Sequence, residues 1–145
     1  MVADSSKIIR APGFPPDERI NRPVEFLDIY PTLVDLCGLP RPPHLEGESL
    51  VPLLRDPASE ATRGAAFSQY PRGGKDKPMM GYSVRQGPWR YTEWLRTDTG
   101  GVELRELYHL ENDPHVTLNL AGDPQFASVV EQLSALLGQA GSRVG

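Results

Sequence analysis

Few residues in this chain of 145 could carry out covalent chemistry, and those few do not gather into a complete catalytic set. Cys37 is the single cysteine and so the nucleophile to consider first. Its place at the end of an apolar helical stretch reads instead as a buried, inert thiol. His44, His109 and His115 share neither the H-x-x-x-H nor the H-E-x-x-H spacing of a metal site, and each reads as a surface histidine. Asp28 and Asp35 lie on one helix face but about two turns apart, too far to share an ion. They read as a solvated stripe or a polar contact to a neighbouring domain. The loop Arg72-Gly73-Gly74-Lys75-Asp76-Lys77 sets cations on a pliant backbone, a composition able to meet an anion. It lacks the G-x-x-x-x-G-K-S/T order of a P-loop and reads equally well as a solvated hairpin. Trp89, Tyr91 and Trp94 could stack on a sugar, although strand aromatics more often pack a core. The expectation is no catalytic residue and no metal ligand within this chain. Gln69, Arg72 and Lys75, where a strand runs into the basic loop, are the candidate substrate-binding residues.

The elements that would position these groups follow from periodicity. Lys7 to Arg10 is a short strand-like run that needs a partner. Pro23 suits the start of a helix over Val24–Leu36, with a kink expected at Pro31 and a stop at Gly38. Apolar residues occupy most of its circumference, so it wants covering on more than one side. Glu48 to Leu54 reads as a short helix. The pattern then alternates, giving strands near Ala65–Tyr70, Met80–Arg85, Trp89–Leu95 and Val102–Tyr108, an antiparallel meander. Phe126, Val129, Val130, Leu133, Leu136 and Leu137 form one stripe on a last helix, with Asp123 as its N-cap and Gly138 as its stop.

Composition narrows the class. Fifteen basic against nineteen acidic residues leave a net charge of −4, which offers no broad cationic surface to nucleic acid. A single cysteine excludes an internal disulfide. No run is long and apolar enough to cross a bilayer, and MVADSSKIIRAPG lacks the apolar core of a signal peptide. The chain reads as a loop-rich, mildly acidic α+β protein with no nucleic-acid or membrane partner.

Several strings extend this reading. Asp28, Pro31-Thr32-Leu33 and Gly38-Leu39-Pro40, followed by Leu45-Glu46-Gly47-Glu48-Ser49-Leu50-Val51-Pro52-Leu53-Leu54, resemble a two-part segment of type I sulfatases, D-x-x-P-T-L-x-x-x-x-G-L-P and L-x-G-x-S-L-x-P-L-L. Glu106-Leu107-Tyr108-His109-Leu110-Glu111-Asn112-Asp113-Pro114, then Asn119-Leu120, resemble the family's C-terminal E-L-Y-D-L-x-x-D-P-x-E-x-x-N-L. Ser68–Arg72, Met80–Arg85 and Trp89–Trp94 are similar to the iduronate 2-sulfatase branch. His109 stands where the family usually has Asp, and Val116 where it usually has Glu.

The resemblance implies a four-stranded antiparallel subdomain with a C-terminal helix, over residues 64–145. Residues 1–63 would be the trailing strand, helix and connector of a large alkaline-phosphatase-like α/β domain, which would cover the over-apolar helix. Family members hydrolyse sulfate esters with a formylglycine made from the Cys of C-x-P/A-S-R, beside a divalent metal, calcium being expected. Both are implied only for a full-length enzyme acting on a sulfated uronate or another sulfated sugar. Cys37-Gly38-Leu39-Pro40-Arg41 matches that motif at Cys and Arg but fails at the two positions before Arg. The partners implied are an upstream sulfatase domain and the sugar. The competing expectation is an independent, non-catalytic binding module that kept this fold.

Overall fold

A computed structural model describes residues 7–74 and 77–141. The chain divides into two compact units, Met1–Asn21 with Glu25–Arg63, and Arg22–Val24 with Gly64–Gly145.

In the first unit a 3-10 turn, Phe26–Asp28, runs into α1 (Ile29–Leu36), and α2 (Val51–Arg55) follows. The expected kink at Pro31 is absent because α1 begins later than periodicity suggested. Pro31 falls in its first turn, where a backbone N–H has no carbonyl one turn earlier within the helix. At the other end, Leu39 N–H donates to Val34 O and Gly38 N–H to Asp35 O, with Gly38 at φ 64°. That is a Schellman stop, and it needs the glycine. Cys37 is exposed at this end rather than buried, since the short helix turns its last residues outward. Lys7–Arg10 forms no strand; its backbone pairs with no strand edge among the described residues.

The two halves of the first motif turn out to be two sides of one contact. The buried Asp28 carboxylate accepts from Glu25 N–H at 2.7 Å and Glu48 N–H at 2.9 Å. One turn on, Thr32 Oγ1 accepts from Leu50 N–H at 2.9 Å. Asp35 then accepts from the Ser49 hydroxyl at 2.6 Å. The spacing i, i+4, i+7 puts the three acceptors on one side of α1. There they hold the 47–50 segment by two backbone N–H groups and the Ser49 hydroxyl, which is also why α2 starts at Val51 and not at Glu48. Asp28 and Asp35 are therefore not a solvated stripe. Gly47 is required here: a Cβ would lie 2.0 Å from Leu27 O. Arg63 closes the clasp, its guanidinium 3.2 Å from Glu25, 3.6 Å from Asp28 and 3.3 Å from Glu48. Arg41 meanwhile donates to the carbonyls of Leu45 and Gly47. It is a loop fastener.

The second unit is a meander of β1 (Ala65–Arg72), β2 (Met79–Gln86), β3 (Trp89–Arg96) and β4 (Val102–His109), in that spatial order and antiparallel throughout. A 3-10 turn at Pro124–Phe126 leads into α3 (Ala127–Gly141). Asp123 caps it as expected, accepting from Gln125 N–H at 2.9 Å. Gly138 does not stop it; nothing crowds that position and the helix runs on to Gly141. Phe67, Val84, Tyr91 and Leu107 form one cross-strand row, and Leu133 of α3 packs onto the core they share. β1 is an edge strand, paired only with β2 among the described residues, and it carries Pro71.

The second motif is likewise a tie. Asn119 Oδ1 accepts from Leu107 N–H and Ala121 N–H, each at 3.0 Å, while its amide donates to Arg105 O at 3.0 Å. Asp113 accepts from Thr117 N–H at 2.6 Å and Leu118 N–H at 2.9 Å. Those donors, the Leu118 amide foremost, hold its carboxyl below the usual carboxylate range. His109 fills the family's Asp position with Nδ1 accepting from Asn112 N–H at 3.3 Å. Val116 sits at φ 55°, a left-handed conformation in which a β-branched side chain is strained. Val116→Gly is expected to raise stability by about 1 kcal/mol, read as a higher urea midpoint; a lower midpoint would show that the strain is absent.

Candidate functional site

Of the three residues singled out on β1 and its hairpin, the two that are described do not converge. Gln69 and Arg72 are three apart on one strand, so they project from opposite faces of the sheet. Gln69 shares its face, and a row, with Tyr82, Glu93 and Arg105. Arg72 lies on the other face with Tyr70 and Trp94. Lys75 lies outside the described residues.

On the Gln69 face, Glu93 is the hub. Its Oε1 accepts from the Tyr91 hydroxyl and from the Ser134 hydroxyl, each at 2.7 Å, with Arg105 Nε at 3.5 Å. Tyr91 is fully buried, and burial first, then the bond to Glu93, push its phenol up to about 12. A group whose folded pKa is raised contributes stability in full below its unfolded value of about 10. That contribution is lost as pH rises through about 12. The urea midpoint is therefore expected to fall across this alkaline window, and to fall less in Tyr91→Phe. Equal slopes in the two proteins would contradict the assignment.

The opposite face has the arrangement suited to an anionic, ring-shaped ligand. Tyr70 is 62% exposed and lies opposite Gly81, which pairs in turn with Trp94. The Arg72 guanidinium lies 5.0 Å from the Trp94 ring centroid. Two described cations at this end already have carboxylate partners. Lys77 is paired with Glu103, and Arg96 with Asp98. Among the described residues, Arg72 is the cation at this end that faces an aromatic ring instead. An exposed tyrosine, a tryptophan and an arginine fork together can stack on a sugar and bind a carboxylate or sulfate on it. Sequence reasoning missed Tyr70 as a site residue. Its parity with Arg72 on one strand was the available signal.

The remaining chemistry-bearing groups do not come together. Among the described residues, no group of three or more His, Cys, Asp or Glu is placed to hold a metal ion. The carboxylates of Glu25, Asp28 and Glu48 are already gathered by Arg63. These residues do not fit the calcium that the resemblance implies. No helix among the described residues is long and apolar enough to cross a membrane.

The family model described as N-sulphoglucosamine sulphohydrolase, C-terminal, matches residues 5–142. The chain belongs to the sulfatases, as a C-terminal region. Arylsulfatase K of Danio rerio is 31% identical over 134 residues, which is 90% of this chain and 24% of that protein. Iduronate 2-sulfatase of Mus musculus is 30% identical over 148 residues, 76% of this chain and 27% of that protein. A solved 2-O GAG sulfatase superposes with a TM-score of 0.65 at 31% identity, over 80% of this chain and 24% of that one. This sulfatase region thus spans about a quarter of the length of the curated relatives it matches. Related sulfatases are metalloenzymes.

Proposed function

We propose that this chain works as the C-terminal part of an enzyme that hydrolyses the sulfate ester of a uronate or another sulfated sugar. It supplies structure and one wall of the substrate pocket, while the formylglycine and metal belong to an upstream domain. Residues 1–63 would then be the trailing part of that large domain, and 64–145 a small closing subdomain.

The observation that carries this reading is the exposed apolar row of the first unit. Phe26 is 72% exposed, and Leu27, Ile29, Tyr30 and Leu33 are open as well. Five large apolar side chains left in water within eight residues favour a helix made to be covered. An independent module would be expected to bury them itself. In the closed enzyme Arg72 would orient the sugar through its anionic group, using charge-assisted bonds that survive best where water is excluded.

The test joins this chain to an upstream sulfatase domain and replaces Arg72 by Ala, with Gln69→Ala and Lys75→Ala as companions. Losing a charge-assisted contact should raise KM for a sulfated uronide about tenfold or more. Turnover of a small uncharged aryl sulfate should change little. An unchanged KM for every sulfated sugar tried would remove Arg72 from the pocket.

A further inference from the structure

Arg72 and Trp94 lie on strands that are not neighbours. β2 runs between them, so their backbones are about 10 Å apart. Their side chains meet on a diagonal: Trp94 pairs with Gly81 and Arg72 with Met79, and the indole crosses β2 over Gly81, where even a Cβ would stand 2.7 Å from the Trp94 ring. The indole can lie across β2 only where that strand presents no side chain. From there it reaches under the Arg72 guanidinium, 5.0 Å from ring centroid to the guanidinium carbon. The indole Nε1 is buried and has no hydrogen-bond partner among the described residues. Its place is thus set by shape and stacking rather than by a polar bond.

From this we infer that Trp94 is a positioning residue, a platform that fixes the Arg72 fork in one orientation before an anionic sugar arrives, with Gly81 as the gap that admits it. The inference rests on the proposed role of Arg72 only for its functional consequence. A free arginine side chain loses several rotors on binding, and one already stacked on an aromatic face loses fewer. Trp94 therefore acts through Arg72 and on binding, not on the chemical step.

Two measurements separate the parts. In the chain itself, the Arg72 Nε–H proton should show a ring-current shift and restricted motion by NMR. Both should persist in Trp94→Phe, which keeps a face without the N–H, and vanish in Trp94→Leu. Gly81→Ala should weaken them while leaving Trp94 in place, a check if the leucine variant folds poorly. An Arg72 signal that is averaged in the parent, or indifferent to Trp94→Leu, overturns the inference whatever Arg72 does in catalysis. In the enzyme joined to an upstream domain, Trp94→Leu should raise KM about fivefold at constant kcat, with rescue by Trp94→Phe. On an Arg72→Ala background it should add nothing. An additive effect there would overturn action through Arg72. An Arg72→Ala variant with unchanged KM would instead defeat the substrate reading, leaving the NMR result to decide the positioning.

Discussion

Asp28→Ala is expected to cost about 3–5 kcal/mol of stability, the range found when one partner of a buried charged network is removed. The Asp28 side chain is 7% exposed, and its carboxylate accepts from two backbone N–H groups on segments twenty-three residues apart, Glu25 and Glu48. Deleting it leaves two part-buried donors without their acceptor and removes one of the three carboxylates around Arg63. Asp28→Asn should be milder, because the amide keeps one acceptor, yet still damaging, because its NH2 faces a second donor. The sharpest readout is amide hydrogen exchange. Glu48 and Leu50 should lose protection together, since the Leu50 N–H is held by Thr32 one turn along the same helix. Protection that survives in Asp28→Ala would show that the 47–50 segment is fastened by something else.

Leu107→Ala should lower stability by about 2–5 kcal/mol, the cost of a cavity at a fully buried leucine. Leu107 sits in the row with Tyr91, Val84 and Phe67 beneath Leu133, so few neighbours can move to fill the space. Leu104, on the same strand but 45% exposed, is the control; its replacement by alanine should stay within about 0.5 kcal/mol. A urea series of the two variants gives the comparison directly. Equal losses would mean that the buried row is not the core of this unit.

How far these elements could be read beforehand depended on whether the deciding contact was local. The strands were legible because Trp89, Tyr91 and Leu95 alternate, and a period of two admits one face assignment. Gly38 and Asp123 were legible as helix ends for the same reason: each acts on backbone a few residues away. The start of α1 was not. It is set with the help of Glu48 and Leu50, about twenty residues downstream, which bind Asp28 and Thr32. That misplaced start led to the expected kink at Pro31, whereas the burial assigned to Cys37 was inferred from its apolar neighbours. The candidate site shows the same division. The opposition of Gln69 and Arg72 follows from counting along one strand. The meeting of Arg72 with Trp94 needs the β1–β2–β3 register that sets Gly81 beside Trp94, with Tyr70 and then Arg72 beyond it on β1.

The position of Pro71 has a consequence for how this protein behaves in company. An outer strand presents a row of backbone donors and acceptors that a second chain can copy onto itself, the first step towards stacked, fibrous association. β1 is such a strand, eight residues long. Proline breaks the row, because it has no N–H to offer, and the charge of Arg72 beside it resists the approach of a like strand. The residue next to the proposed sugar contact therefore also guards the sheet against copies of itself.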